Sequence, residues 1–202
     1  MNGPGALSAA VLGYLIGSFP SADVASRLAM SNAIDLRTLG SGNPGATNAA
    51  QVLGKQWGAM VLLVDLGKGV GAVFVGRALG GDAGAYVAAV MVVAGHIVPP
   101  WSRFRGGKGM ATVGGVVLAV LPLYFPFAVA LAAAFAFGTH RTELAARVSA
   151  VALVTAAIVW TVASWPNGWG PAPGGGLVAF AIADALLIVV KFALARAPEP
   201  AS

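Results

Sequence analysis

ATVGGVVLAVLPLYFPFAVALAAAFAFGT, residues 111–139, carries no charge, and the number of times it crosses a membrane decides the fold. At 1.5 Å per residue the run is too long for one comfortable crossing of a ~30 Å hydrocarbon core and short for two. Pro122 and Pro126 interrupt it near the middle, where a helix interior does not hold proline without losing a hydrogen bond. Charge settles the count. With two crossings, Arg27, Arg37, Arg103, Arg105, Lys108, Arg141, Arg147, Lys191 and Arg196 all fall on one side. The other side keeps little more than Arg77, Asp82 and an uncharged stretch over 165–176. A single crossing would set Arg141 and Arg147 opposite Arg105 and Lys108. Lys and Arg collect on the cytoplasmic side of a membrane protein, so two crossings are expected, with the N-terminus outside and the C-terminus cytoplasmic.

Working outward, further apolar runs cover 5–20, 57–75, 83–99, 149–164 and 177–195, which brings the count to about seven. The first lacks a basic leader and a good cleavage site and is read as a retained helix. The expected fold is an all-α polytopic membrane protein, a bundle of about seven transmembrane helices forming one domain over residues 1–196, with a disordered tail at 197–202. Composition agrees: 58% of residues are hydrophobic and 9% charged, and mean hydropathy is +0.83. Soluble domains carry about a quarter charged residues. Trp101, Trp165 and Trp169 lie near span ends, as in an interfacial aromatic belt. The net charge of +5 sits between apolar segments; anionic lipid headgroups account for it, and nucleic acid is excluded as a partner. The absence of cysteine excludes thiol nucleophiles, disulfides and Cys-ligated metals. No metal or cofactor is expected.

Two polar, glycine-rich loops interrupt this nearly uncharged chain: Gly40-Ser41-Gly42-Asn43-Pro44-Gly45-Ala46-Thr47-Asn48 and Arg103-Phe104-Arg105-Gly106-Gly107-Lys108-Gly109. Backbone-exposing sequence beside a membrane is costly unless it binds something. Glycines bring backbone N–H groups close to a ligand and Arg or Lys supplies charge, so both loops read as anion cradles. The partner is a phosphorylated small molecule at the membrane face. In the first loop Arg37 is the phosphate fork, with Ser41, Gly42, Asn43, Gly45 and Asn48 completing the cradle. The second loop fails the nucleotide P-loop spacing, since Ser102 and Gly109 stand where Gly and Ser or Thr are needed. It retains Arg105, Gly106, Gly107, Lys108 and Gly109 as a turn entering a helix near Met110, a phosphate seat without nucleotide specificity.

Three other polar groups call for a reason. His96, just ahead of the second loop, is either a general base or a structural group holding the loop. Asp65 and Lys68, at i and i+3 in one span, neutralise each other. Asp184 has no partner close in sequence except Lys191, two turns along, and receives no role.

Jointly these stretches resemble the bacterial acyl-phosphate-dependent glycerol-3-phosphate acyltransferases, the PlsY family. The likeness is carried by Gly17-Ser18-Phe19-Pro20, by the run from Asp35-Leu36-Arg37 through Asn48 with Leu53-Gly54-Lys55 and Asp65-Leu66-Gly67-Lys68-Gly69, and by Gly95-His96-Ile97-Val98-Pro99 with Phe104 to Thr112. The resemblance implies seven helices in the bacterial inner membrane with cytoplasmic active-site loops. It also implies transfer of a fatty acyl group from acyl phosphate to the first hydroxyl of glycerol 3-phosphate, giving lysophosphatidic acid and phosphate, the opening step of phospholipid synthesis. Ser41, His96 and Lys108 are the expected catalytic residues, and Ser149 joins the substrate-binding set. A soluble enzyme that makes acyl phosphate is the implied partner.

The second half departs from the family pattern. Only Ser149 stands where the family has paired serines, and Lys191-Phe192-Ala193-Leu194-Ala195-Arg196 replaces an element carrying His and Asn. His140 is either a solvated loop residue or the group that takes over from that His. Two other classes remain open from sequence: an organic-anion transporter with re-entrant loops and a non-enzymatic membrane homologue.

Overall fold

The computed structural model describes residues 3–32, 34–139 and 141–195, and among these the chain forms helices and no strand. The expected tail and His140 lie outside the described residues. Helix α1 (Gly3–Gly17) is followed by α2 (Ser21–Ala29), a short amphipathic helix with Pro20 at its N-cap that buries Ser21, Ala22, Ala25 and Ser26. The first glycine loop leads into α3 (Ala46–Val52) and then into α4 (Lys55–Ile97).

α4 turns back on itself. A straight helix of 43 residues would be ~65 Å long, twice the hydrocarbon thickness. Gly80 (φ −138°, ψ 20°) and Gly81 (φ 61°, ψ −154°) leave helical geometry and make the corner; the positive φ at Gly81 is one that a side chain strongly disfavours. The arms then run antiparallel and close. A Cβ on Gly76 would lie 2.4 Å from the Gly84 carbonyl oxygen, and Lys68 reaches His96 at 2.7 Å. The expected spans at 57–75 and 83–99 are these arms, joined without a loop.

α1 lies parallel to the second arm, with Gly5 against Leu79, Gly13 against Ala88 and Gly17 against Val92. A Cβ at Gly17 would sit 2.0 Å from the Val92 oxygen. In lipid, where apolar surface alone brings no helices together, such backbone contact is what packing exploits.

Residues 111–139 divide as charge parity requires. α5 (Met110–Val120) ends at Leu121, the chain turns at Pro122, and α6 (Phe125–Thr139) returns. Pro126 falls in the first turn of α6, where its missing N–H costs nothing. Tyr124 at the reversal packs edge-on against Trp160, near the C-terminal end of α7 (Thr142–Ala163). α7 begins earlier than the expected start at 149, because an exposed Glu143–Arg147 ion pair at i, i+4 extends its first turns as helix. α8 (Gly175–Leu194) returns beside it. Counting both arms of α4, seven apolar helical segments form the bundle.

Its two ends differ. At one, the start of α1 meets the Gly80–Gly81 corner. Arg77 donates to Trp169 O (2.6 Å) there, and Asp82 accepts the Ala172 N–H (2.9 Å). At the other end lie the C-terminal ends of α1 and α4, the start of α5 and the last turn of α8, where Lys191 Nζ donates to Ile97 O (3.5 Å). Both glycine loops are at that second end.

Candidate active site

The first glycine loop is shaped from inside. Gly40 and Gly42 adopt φ of +58° and +68°, and buried Asn48 ties the loop to the start of α3. Its Oδ1 accepts the Ser41 N–H (2.9 Å), while Nδ2 donates to Leu36 O (2.8 Å) and Leu39 O (3.0 Å). Expected as a substrate ligand, Asn48 spends its amide on the loop's own backbone. Ser41 and Gly42 are exposed, Asn43 and Gly45 half-buried, and Pro44 buried towards the second loop.

The second loop begins with a single 3-10 turn, Pro100–Ser102. Arg103 and Phe104 then take left-handed φ values of 52° and 62°, strain that non-glycine residues carry at a cost. Gly106 donates to Ile97 O (3.1 Å), so the loop folds back onto the end of α4. Gly106 and Gly107 are buried against His96. A Cβ on Gly106 would meet His96 O at 2.0 Å, and one on Gly107 would meet His96 Nε2 at 2.4 Å and Pro44 O at 3.1 Å. Gly109, at φ 83°, caps α5. Half-buried Lys108 places Nζ 4.6 Å from the ring centroid of Phe192 in α8.

Arg37 joins the two loops. It donates to both oxygens of Asp23 in α2 (2.7 and 3.2 Å), to Asp35 (3.0 Å) and, through Nε, to Arg105 O (2.6 Å). Ser102 adds a bond to Asp23 (3.2 Å). The guanidinium, read from sequence as a free phosphate fork, is thus largely committed to two carboxylates and a carbonyl. Lys108 is different: among the described residues no carboxylate lies within ion-pair distance of it, nor of Lys191, which is near enough to feel the charge of both Arg37 and Lys108. Lys191 stands in the stretch that departs from the family pattern, and sequence reasoning did not bring it to the site; Arg196 lies outside the described residues.

Asp65 and Lys68 pair as expected (2.9 Å), but the cluster is larger than a pair. Ser21 donates to Asp65 (2.7 Å), Lys68 lies 2.7 Å from His96 Nδ1, and both Lys68 and His96 are buried. The far side of His96 faces a cleft that Ser18, Arg37, Pro44, Gly106 and Gly107 help to line. Ser149 lies in α7 with its Oγ buried and without a hydrogen-bond partner; no hydrogen bond among the described residues ties it to either glycine loop.

The arrangement therefore offers a small oxyanion two lysines that have no carboxylate partner among the described residues, and the amide end of α5, beside two glycines packed against His96. A family model described as "Glycerol-3-phosphate acyltransferase" matches residues 7–195. The chain belongs to the glycerol-3-phosphate acyltransferase family. Among relatives of that name, one from Roseobacter denitrificans is 43% identical over 153 residues, 74% of each chain. One from Thermoanaerobacter pseudethanolicus is 40% identical over 156 residues, 77% of this chain and 78% of the relative. The fold matches the crystal structure of PlsY, an integral membrane glycerol 3-phosphate acyltransferase, in its glycerol 3-phosphate form, with a TM-score of 0.76 at 31% identity over 93% of this chain and 88% of that one. The lysophosphatidic acid form matches with a TM-score of 0.73 at 30% identity, covering 92% and 87%. The two loops that the sequence singled out thus meet at one end of the bundle, with α2 and the last turn of α8 beside them.

Proposed function

We propose that the chain transfers a fatty acyl group from acyl phosphate to the first hydroxyl of glycerol 3-phosphate at the cytoplasmic face of a bacterial inner membrane. The observation that carries this reading is the Lys108–Lys191 pair, without a carboxylate partner among the described residues, beside the buried Gly106 and Gly107. Acyl phosphate is an activated mixed anhydride, so no acyl-enzyme is required. The glycerol hydroxyl attacks the acyl carbon, the carbon–oxygen bond to phosphate breaks as the ester bond forms, and the proton leaves with a phosphate oxygen. What the protein supplies is alignment of two phosphate-bearing molecules and stabilisation of the carbonyl oxyanion and departing phosphate. Lys108, Gly106, Gly107 and Gly109 would seat glycerol 3-phosphate, with Arg105 at the rim. Ser41, Gly42, Asn43 and Gly45 would meet acyl phosphate, delivered by a soluble enzyme that makes it, while Arg37 and Asn48 hold the cradle's shape.

Purified protein in lipid, given acyl phosphate and labelled glycerol 3-phosphate, should form labelled lysophosphatidic acid and release phosphate in equal amounts. Uptake of label into vesicles without product would favour an organic-anion transporter, and neither outcome a non-enzymatic homologue.

Sidedness has its own test. The chain has no cysteine, so cysteines placed singly at Arg103 and Arg141 report cleanly. Both should resist an impermeant thiol reagent in intact cells and react after permeabilisation, since Lys and Arg gather on the cytoplasmic side. Labelling of either in intact cells overturns the proposed orientation.

A further inference from the structure

His96 sits between two unlike surroundings. On its Nδ1 side, Lys68 Nζ has three neighbours: Asp65 Oδ1 at 2.9 Å, Phe19 O at 3.4 Å and His96 Nδ1 at 2.7 Å. The carbonyl and the carboxylate can only accept, so two hydrogens of Lys68 are spent on them, and the state of Asp65 decides whether a third is left for Nδ1. A neutral Lys68 would strand the Asp65 charge in a buried site, which is far costlier than the paired arrangement. Nδ1 lies 2.7 Å from the Lys68 ammonium and 3.6 Å from Asp65 Oδ1, so the cation is its nearer partner and a proton on Nδ1 is disfavoured. Nδ1 therefore accepts, and the ring proton is on Nε2. Nε2 faces Gly107 and the cleft; a Cβ on that glycine would lie 2.4 Å from it, and Pro44 O is near the same point. The other charged groups facing this corner are Lys191, on the Ile97 carbonyl, and the Arg37–Asp23 pair, which lines the same cleft.

We infer that Asp65 and Lys68 are positioning residues that hold His96 as the Nε2–H tautomer, so that His96 donates a hydrogen bond to a substrate oxygen at the glycine loop and does not take up the hydroxyl proton. The inference rests on the acyltransferase reading only for the identity of that oxygen: the acyl carbonyl, where charge develops, or a phosphate. A donor aimed at developing negative charge from a dry, preorganised site is worth far more than the same bond in water.

The first test does not depend on activity. The chain has two histidines, so nitrogen-15 spectra of His-labelled protein, assigned with a His140→Ala variant, isolate His96. Expected are a pyridine-type Nδ1 and a pyrrole-type Nε2, unchanged between about pH 6 and 8. The opposite tautomer, or protonation of the ring within that window, overturns the inference even if acyl transfer proceeds. The second test is kinetic. His96→Ala should lower kcat by about a hundredfold. His96→Gln, whose amide nitrogen reaches the Nε2 position, should recover most of that loss with the parent's pH profile. Lys68→Met should lower kcat by about tenfold and introduce a new acidic limb in the profile, because the ring is freed to protonate. A His96→Gln variant no better than alanine, or a Lys68→Met variant with the parent's rate and profile, also overturns it. Should Lys68→Met fail to fold, the parent spectrum decides alone; a parent without acyl transfer refutes the proposed function and leaves that spectrum interpretable.

Discussion

Alanine at Gly106 should lower acyl transfer by about a hundredfold or more. The added Cβ would lie 2.0 Å from His96 O, 2.7 Å from Ile97 O and 2.5 Å from Pro99 Cδ. Two of these are backbone atoms of the helix end that carries His96, so nothing yields without moving the histidine. Overpacking of this kind costs about 1–3 kcal/mol, and a displacement of about 1 Å at a reacting centre can cost a hundredfold in rate. Gly107→Ala should come close, since its Cβ would crowd His96 Nε2 itself. Gly67→Ala supplies the control, because nothing lies within 4 Å of a Cβ there. Equal turnover in all three variants would show that the loop has no fixed geometry to disturb, and the seat would be refuted.

Lys108→Ala and Arg37→Ala should both cripple the enzyme, by different routes. Lys108 has no carboxylate partner among the described residues, so its loss should leave folding intact and raise KM for glycerol 3-phosphate. One charge-assisted contact is worth about 1.5–3 kcal/mol, or roughly ten- to a hundredfold. Arg37 holds the loops together, and its removal leaves Asp23 and Asp35 unpaired. With the guanidinium 13% exposed but the carboxylates 26% and 50%, solvent screening discounts the loss to about 1–3 kcal/mol of stability. Arg37→Ala should thus lower the Tm as well as kcat, whereas Lys108→Ala should raise KM and leave the Tm unchanged. Acid should mimic the first effect. Burial works against the Asp35 charge, but hydrogen bonds from the Arg37 amide and guanidinium, with the charge of Arg37 and Arg105, hold its carboxyl below the ordinary 3.8. A depressed carboxyl stabilises the folded state above its unfolded value and loses that contribution as pH falls through the lower folded one. The Asp35 arm of the clamp should therefore persist through neutral pH and release only below pH 3.8. A Tm for Arg37→Ala equal to the parent's would show that the clamp carries no stability.

What the sequence disclosed followed the range over which each signal acts. The division of residues 111–139 was legible because two prolines and the alternation of basic loops act along the chain. The Asp65–Lys68 pair was legible because i, i+3 neighbours share a helix face. Their contact with His96 was not, since only the Gly80–Gly81 corner brings residues 68 and 96 together, and a glycine pair inside an apolar run gives no sign of how tightly the arms will close. Arg37 was read as a phosphate ligand for the same reason: Asp23 belongs to a different helix, and nothing local announces the encounter. Asn48 looked like part of a cradle and proved to be its internal brace. Lys191 and Phe192 were read only as a departure from the family pattern, because their approach to Lys108 depends on how α8 packs.

The hairpin of α4 also bears on how the chain is made. A lone Asp or Lys at the centre of a nascent transmembrane helix opposes insertion by about 2.5–3.5 kcal/mol. Because Asp65 and Lys68 share the first arm, each enters the lipid already neutralised by the other, before the second arm has left the ribosome. His96 follows as an uncharged ring and finds Lys68 waiting when the corner closes. Asp65 and Lys68, the two charges buried in the first arm, are thus placed so that neither enters the membrane without the other.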